Sequence, residues 1–410
     1  MAKEGGYVMR VIIHTMYFLP DFGSAPILMS ELASYLAQKG HNVSVITTLP
    51  IQKNEIKYKK RIYLEERRDG FLIKRFWTNS GNRPLARLLA WNFYIFWTVL
   101  NIARIQKGDI LFLRLPPLQL GLTGILAKRL KGTKIIVNVQ DIHPDLVIES
   151  GNLKNPFIIK IAKYFEKWVY RNSDILVVIS EGFKKNLEDK GVNPEKTKVI
   201  PNWVDTDFLK PLPKNNSIAK KFSLDNKFVI MYSGTITVSG FLSLERVLDV
   251  AYLLKEERDI LFVVVGEGLK KQSLQEKADK LALRNVMFLP FQPYSEVPYL
   301  LASADVLIVP LDESKSSLSV PSKLYSCMAA RKPILGLADS SSEVAKIIID
   351  ANCGVCVQPH DIEGIVKAIT ELKKFHDYRE TLSMNARKYA VENFSKNRIL
   401  QIYETLISSL

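Results

Sequence analysis

A lysine at the predicted start of a helix is the residue of this sequence best suited to chemistry. The stretch SVPSKLYSCMAARKPIL follows the apolar strand DVLIVP and brings Pro321, Ser322 and Lys323 together. Proline is tolerated in the first turn of a helix, serine can cap free N–H groups, and lysine adds a full positive charge. Ser322 and Lys323 are therefore predicted to bind a phosphate group. The alternative is a capped helix whose lysine is simply solvated.

Two glycine-containing loops in the same half of the chain could complete such a site. The stretch MYSGTITVSG leaves a predicted strand through Gly234 and Thr235 and reaches the next helix after Ser239, and VVVGEG ends another strand with Gly266 and Glu267. Glycine lets backbone N–H groups approach a ligand closely, and a helix N-terminus carries partial positive charge. The loops therefore suit a diphosphate, although an ordinary strand-to-helix connection has the same composition.

The first half of the chain offers a different set of polar residues. FLPDFGSAP places Gly23 and Ser24 between a strand and a helix, and VQDIHPD places Asp141 and His143 just after another strand. A carboxylate and an imidazole in this position can orient a polar substrate or transfer a proton. Asp141 and His143 are thus candidate catalytic residues together with the lysine, with a purely structural role as the alternative.

A metal site is not predicted. Cys353 and Cys356 form a C-x-x-C pair that only Cys327 and His360 could complete, and no second pair of this kind exists. With three cysteines the chain has no disulfide framework, which favours a reducing compartment. The N-terminus lacks the apolar segment and cleavage site of a secretory signal, so a cytoplasmic protein is expected.

The elements that must position these residues form two similar units. Short apolar runs alternate with helical segments from RVIIHTM to DILVVIS, and after the Pro- and Asn-rich stretch PNWVDTDFLKPLPKNNS the alternation restarts at KFVIMYSG. Continuous apolar strands separated by helices are typical of parallel sheets covered on both faces. We predict two Rossmann-like doubly wound α/β domains, residues 1–205 and 206–385, and a C-terminal helix over 386–410 that returns to the first domain.

The charge distribution could attract anionic lipid, a polyanion or a phosphorylated substrate, and the alternative is an ordinary solvated surface. The net charge is +15, and thirteen Lys and Arg residues stand against five Asp and Glu between Gln52 and Asp109. This segment contains the uncharged run from Leu88 to Ala103, too short to span a bilayer. Its polar residues recur at helical spacing, which favours a largely buried helix with one wet stripe; the alternative is an interfacial helix with Trp91 and Trp97 at headgroup level.

Several stretches, in their order along the chain, resemble the retaining glycosyltransferases of family 4. They are YFLPDFGS, VIPNWVDTDFLKP at the predicted domain junction, LFVVVGEG, and PSKLYSCMAARKPIL followed by GVCVQPHD. The resemblance covers essentially the whole chain. It implies the GT-B architecture, in which two Rossmann-like domains face each other across a cleft. It also implies a nucleotide-diphosphate sugar in the second domain, an acceptor in the first, and no required metal.

The sequence departs from the family pattern in a consistent way. Many members carry a Glu-x7-Glu motif, and Leu318 and Ser326 stand at those two positions here. Gln140 replaces a frequent histidine beside Asp141, and an Arg and a Lys that often flank the glycine loop are absent. This combination resembles a subgroup with the VPSKLYS motif whose members mostly transfer amino- or deoxy-sugars in cell-surface polysaccharide assembly. In that subgroup Lys323 is inferred to supply the missing charge.

The resemblance predicts a hexosyltransferase that moves a sugar from a nucleotide-diphosphate sugar, expected to be of the UDP type, to a saccharide or lipid-linked acceptor without another cofactor. Peripheral contact with the inner face of the cell membrane is expected. The missing glutamates leave a catalytically silent nucleotide-sugar-binding subunit as an alternative, and a nucleotide-sugar epimerase as another. Nucleic-acid binding is not expected, because the basic residues lie outside any recognised reading motif.

Overall fold

The computed structural model describes residues 8–21, 23–50, 58, 61–78, 84–149, 151–236, 241–311 and 320–410. The chain divides into two units. The first comprises Met1–Asn202 together with Ile399–Leu410, and the second comprises Trp203–Arg398. Each unit contains one sheet covered by helices.

The first unit is built on an eight-stranded sheet. Its strands are β1 (Arg10–His14), β2 (Asn42–Thr48), β3 (Tyr63–Arg68), β4 (Phe71–Phe76), β5 (Ile110–Leu115), β6 (Lys134–Val139), β7 (Ile175–Val178) and β8 (Thr197–Val199). Their order is β3-β4-β2-β1-β5-β6-β7-β8, and all neighbours are parallel except β3 and β4. The expected Rossmann-like sheet is confirmed.

The hairpin β3–β4 was not anticipated from the strand pattern. Asp69 and Gly70 connect its strands, and both have positive φ, at 47° and 86°. Two consecutive residues of this kind form a type I′ turn, for which Asp-Gly is a preferred sequence. The Asp-Gly dipeptide could therefore have predicted this hairpin turn from the sequence. The charged sequence of β3 concealed this signal, because the edge strand is fully or partly exposed at every position and has no apolar run.

Helices connect the strands of the first unit. They are α1 (Ser24–Gln38), α2 (Pro84–Leu100), α3 (Leu120–Lys131), α4 (Asp145–Glu149), α5 (Pro156–Asn172) and α6 (Glu181–Asp189). The strands β1, β5 and β6 are almost entirely buried, as expected for a parallel sheet with helices on both faces.

Helix α2 has the opposite orientation to the one its sequence suggested. The Oη of Tyr94 is buried and donates to the carbonyl of Ile46 at 2.8 Å, and Thr98 Oγ1 lies buried 2.8 Å from Thr123 Oγ1. The prediction that these polar residues form a solvent-exposed stripe is thus wrong. The polar residues Tyr94 and Thr98 face inward because each finds a hydrogen-bond partner there, on β2 and on α3 respectively. Trp97 is also half-buried, and its indole N–H donates to the Trp77 carbonyl at 2.9 Å.

The second unit is built on a six-stranded parallel sheet in the order β11-β10-β9-β12-β13-β14. Its strands are β9 (Phe228–Ser233), β10 (Ile260–Val265), β11 (Val286–Leu289), β12 (Val306–Pro310), β13 (Ile334–Leu337) and β14 (Gly354–Val357). Its helices are α7 (Ser217–Lys221), α8 (Phe241–Leu253), α9 (Lys271–Lys280), α10 (Val297–Ala302), α11 (Lys323–Ala329), α12 (Glu343–Asp350), α13 (Ile362–Lys374) and α14 (His376–Phe394).

The end of the chain belongs to the first unit. Helix α14 ends at Phe394, because Ser395 adopts an extended conformation and pairs with Val204, and α15 (Lys396–Ser408) follows. On α15, Tyr403 is buried against Phe112 of β5, with ring centroids 5.8 Å apart. The last helix therefore contributes core residues to the sheet of the first unit, although the whole second unit lies between them in sequence.

Candidate functional site

Two loops at the carboxyl ends of β9 and β10 run side by side in the second unit. The N–H of Gly234 donates to the Val265 carbonyl at 3.0 Å, and the N–H of Ile236 donates to the Glu267 carbonyl at 2.9 Å. Gly266 has φ +150°, and a Cβ atom there would lie 1.9 Å from the Gly234 carbonyl oxygen. Only glycine permits this approach. Gly234, Thr235, Gly266 and Glu267 are thus brought together as predicted.

Lys323 lies against the first of these loops. Its ammonium donates to Tyr232 Oη at 2.7 Å, and Tyr232 Oη donates to the Thr235 carbonyl at 2.8 Å. A Cβ atom added to Gly234 would lie 2.9 Å from Lys323 Nζ. The lysine of the VPSKLYS motif and the glycine loop, far apart in sequence, therefore form one cluster at the carboxyl edge of the sheet.

The environment of Lys323 leaves its charge poorly compensated. Burial lowers the pKa of this ammonium to about 8. Among the described side chains, no carboxylate forms an ion pair with it. A partly desolvated charge without a counter-charge is costly, and an anion that pairs with it recovers much of that cost. The cluster is therefore electrostatically suited to an anionic group such as a phosphate.

Tyr232 is the member of this cluster that sequence reasoning missed. It lies in the apolar strand β9 and is almost completely buried, so its pattern is that of a core residue. The available signal was its position two residues before Gly234, which places its side chain near the strand end. Its hydroxyl fixes the lysine through the two hydrogen bonds described above.

Other residues predicted for the donor site differ from expectation or lie beyond the described ranges. Ser322 makes no capping hydrogen bond, because its backbone is already helical, so the predicted cap is wrong. The Glu267 carboxylate pairs with Lys271 at 2.7 Å and is half-exposed. Ser239 lies outside the described residues, as does Leu318.

In the first unit, Asp141 and His143 follow β6 as predicted. Burial raises the pKa of Asp141 to about 6, against the opposing effect of the Arg114 guanidinium. Burial likewise lowers the pKa of Arg114 to about 10. The His143 ring meets Trp91 of α2 edge to face, with centroids 6.1 Å apart. An ionisable carboxyl and an imidazole therefore lie at the carboxyl edge of this sheet, as the interpretation of VQDIHPD requires.

Behind Asp141 a chain of buried amides reaches the last helix. Asn202 Nδ2 donates to Gln140 Oε1 at 2.8 Å, Gln140 Nε2 donates to Asn138 Oδ1 at 2.8 Å, and Asn138 Nδ2 donates to Tyr403 Oη at 3.1 Å. Such a network is favourable only when its members are paired. It explains the glutamine at position 140, which links two asparagines. Sequence reasoning did not find these partners, since they come from separate segments of the chain.

Gly23 and Ser24 lie at the same carboxyl edge, after β1. Gly23 precedes α1 with φ +121°, and no side chain caps the helix there. Ser24 is the first residue of α1, and both residues are exposed. The N–H groups in the first turn of a helix have no partner within the helix, so this position suits an acceptor of hydrogen bonds. In the sheet, β1 and β6 are separated by β5.

Within the described part of the chain, no group of three or more His, Cys, Asp or Glu side chains is arranged to hold a metal ion. Cys327 and Cys353 are buried free thiols, and burial raises the pKa of each to about 12. Across the same residues, every helix is too short or too polar to cross a membrane.

Family comparisons match both units. Residues 27–208 match the model for Glycosyltransferase Family 4, and residues 214–389 match the model for Glycosyl transferases group 1. Each match covers most of one unit. The chain is thus a nucleotide-sugar glycosyltransferase with the GT-B fold, and its two units match the models of these two glycosyltransferase families.

Two relatives agree with this assignment, one over nearly the whole chain and one over about three quarters of it. The chain is 26% identical over 406 residues to the putative colanic acid biosynthesis glycosyl transferase WcaI of Escherichia coli, covering 96% of this chain and 98% of WcaI. It is 28% identical over 301 residues to the probable glycosyltransferase WbjE of Pseudomonas aeruginosa, covering 73% and 74% of the two chains. The structure of Anabaena Alr3699/HepE in complex with UDP and glucose is similar in fold, with a TM-score of 0.73, 16% identity, and coverage of 98% and 100%.

Proposed function

We propose that this glycosyltransferase moves a sugar from a UDP-type nucleotide sugar to a saccharide or lipid-linked acceptor, with retention of configuration, during assembly of a cell-surface polysaccharide. The observation that carries the proposal is the half-buried Lys323 ammonium at the Gly234 loop, which has no described carboxylate partner. The relatives support the biosynthetic role, since WcaI is named for colanic acid biosynthesis. The UDP complex of HepE supports the nucleotide.

The main contribution of the protein to this reaction is stabilisation of the charge that develops on the leaving group. In front-side attack the acceptor hydroxyl forms a bond to the anomeric carbon on the side from which the diphosphate departs, and the leaving diphosphate oxygen takes the hydroxyl proton. Lys323 would stabilise the negative charge that develops on that oxygen, and the Gly234 and Gly266 loops would supply backbone N–H groups. Asp141 and His143 would orient the sugars in the first unit. This proposal needs no metal ion.

One departure from the family pattern that lies within the described residues bears on the donor. Ser326 occupies one of the motif glutamate positions and lies half-buried on α11, three residues after Lys323. A hydroxyl cannot provide the charge of a glutamate. We therefore propose membership of the VPSKLYS subgroup, with an amino- or deoxy-sugar as the transferred group. The protein would work in the cytoplasm, at the inner face of the membrane.

A donor screen tests this proposal. Purified protein would be incubated with a panel of UDP-, GDP- and dTDP-sugars, and binding would be followed by saturation-transfer NMR. Products formed on lipid-linked acceptors would then be identified by mass spectrometry, and the anomeric configuration by NMR. Transfer with an inverted configuration would refute retention. Binding of a donor without transfer to any acceptor would favour the catalytically silent subunit, and isomerised donor would favour the epimerase.

A further inference from the structure

Helix α2 turns an apolar face away from the protein. Leu89, Phe93, Phe96 and Leu100 are exposed, and Phe96 retains 54% of its accessible surface. These residues recur every three or four positions and so form one stripe along the helix. The polar residues Tyr94 and Thr98 face the sheet instead. An isolated exposed apolar residue needs no explanation, whereas a continuous stripe of four marks a surface that contacts something.

Helix α5 carries a second stripe of the same kind. Phe157, Ile158, Ile161 and Tyr164 are exposed, with 71% for Phe157 and 75% for Tyr164. Helix α3 lies between α2 and α5. It is linked to α2 by the Thr98 to Thr123 contact, and it packs against α5 so closely that a Cβ on Gly121 would lie 2.4 Å from Val169. The three helices therefore form one face of the first unit, which we call the α2/α3/α5 face.

The exposed residues of α5 lie in the first half of that helix, and those of α2 extend along the helix to its last residue. Helices that connect parallel strands run antiparallel to them, so the starts of α3 and α5 lie at the carboxyl edge of the sheet. Trp91 contacts His143, which places the first half of α2 at that edge too. The apolar stripes thus approach the edge at which the candidate residues Asp141 and His143 lie.

The charge of this face has one sign. The described basic side chains of the three helices are Lys128, Arg129, Lys131, Lys160, Lys163, Lys167 and Arg171, and the one acidic residue among those described is Glu166. Glu166 is buried and pairs with Lys190 at 2.6 Å. Lys160 and Lys163 are exposed beside the apolar stripe of α5. The three helices therefore combine exposed aromatic and aliphatic side chains with basic residues and contribute no exposed carboxylate.

We propose that the α2/α3/α5 face binds an anionic lipid bilayer, with the stripes of α2 and α5 inserted among the headgroups and the lysines paired with lipid phosphates. Amphipathic helices with aromatic and basic residues bind interfaces in this way. A second copy of the chain fits less well, because dimerisation through this face would oppose two positive surfaces. The purpose of the contact rests on the proposed function, since a lipid-linked acceptor would then reach the carboxyl edge from the bilayer. The contact itself requires no transfer.

Co-sedimentation of the full chain with vesicles tests the proposal. Wild type should bind vesicles of phosphatidylcholine with about 30 mol% phosphatidylglycerol at low salt and bind pure phosphatidylcholine vesicles at least tenfold more weakly. The double variants Phe157→Ser with Ile161→Ser, and Lys160→Ser with Lys163→Ser, should each reduce partition to the anionic vesicles at least tenfold. The corresponding controls in the second unit are Leu253→Ser with Leu269→Ser, and Lys280→Ser with Lys367→Ser, all at exposed positions. These should bind as wild type.

Failure of wild type to bind anionic vesicles, or equal losses in the control variants, would overturn the proposal. Sedimentation velocity without lipid tests self-association. If wild type is a dimer and the α5 variants are monomers, the α2/α3/α5 face is a dimer interface and the proposal is wrong. UDP affinity and thermal unfolding of every variant show that it is folded. Transfer to a soluble acceptor is measured separately, so failure of wild type to bind vesicles with transfer retained would refute this inference and leave the proposed function standing.

Discussion

Lys323 is predicted to carry the charge stabilisation of the transfer step. Its replacement by alanine should lower turnover at least tenfold, because a charge-assisted phosphate contact contributes about 1.5 to 3 kcal/mol. Lys332 provides a matched control, since burial lowers its pKa to about 8 as well and its ammonium donates to the Ala302 carbonyl at 2.7 Å. Lys332→Ala should reduce stability and leave UDP affinity unchanged. Unchanged kinetics in a folded Lys323→Ala protein would exclude the lysine from the transfer mechanism.

The pH dependence of nucleotide binding should report on Tyr232, which we regard as a positioning residue. Only the ammonium form of Lys323 attracts a diphosphate, so above the second phosphate pKa of about 6 UDP affinity should fall as the pH rises through the lysine pKa of about 8. Tyr232 Oη accepts a hydrogen bond from the ammonium form. Its removal in Tyr232→Phe should therefore lower the lysine pKa further and move this decline to lower pH.

Tyr325 supplies the control for that measurement. Its hydroxyl is buried two residues from Lys323 and has no hydrogen-bond partner among the described residues. Tyr325→Phe should leave the pH profile of UDP binding, measured by titration calorimetry, as in wild type. An identical profile for wild type and Tyr232→Phe would show that the tyrosine contributes packing alone.

At the scale of elements, the contact between the β9 and β10 loops depends on Gly266. A Cβ there would overlap the Gly234 carbonyl oxygen, and the positive φ adds backbone strain of about 1 to 3 kcal/mol. Gly266→Ala should thus lower the melting temperature and weaken UDP binding at least tenfold. Gly191 has φ +80°, and a Cβ added there would have no atom within 4 Å, so Gly191→Ala should cost stability and keep UDP affinity. Equal UDP affinities in the two variants would argue against the loop contact as a nucleotide site.

At the scale of the whole molecule, the last helix should stabilise the first unit. Ile399, Leu400, Tyr403 and Ile407 are each at most 2% exposed, and full burial of a large apolar side chain contributes about 1.5 to 3 kcal/mol. A chain ending at Arg398 should therefore lose several kcal/mol of stability, with faster hydrogen exchange in β5 and β6. A chain ending at Ser408, which removes only Ser409 and Leu410, should unfold as wild type does. Unchanged exchange in the shorter chain would contradict the assignment of this helix to the core.

Metal dependence is also a property of the whole molecule. Transfer is expected to continue in EDTA, because Lys323 rather than a divalent cation is proposed to neutralise the diphosphate. The measurement is the initial rate of product formation with and without chelator. Loss of activity that Mg²⁺ or Mn²⁺ restores would require a metal site in addition to the lysine.

The sequence alone predicted the two Rossmann-like units and the gathering of Gly234, Gly266 and Lys323. Both predictions follow from physics that is local in sequence. A buried parallel strand must be continuously apolar, and in a parallel sheet the carboxyl ends of all strands share one edge. Residues that follow different strands are therefore brought together at that edge, whatever the distance between them along the chain.

Only the tertiary structure decided which side chains pair. Tyr232 and Lys323 are joined by one hydrogen bond across 91 positions, and Gln140 meets Asn202 across 62. The orientation of α2 was decided in the same way. Helical spacing separates two faces without stating which one is buried, and Tyr94 and Thr98 lie inside because partners on β2 and α3 satisfy their hydroxyls. Burial of a polar residue depends on a partner, and partners are a property of the fold.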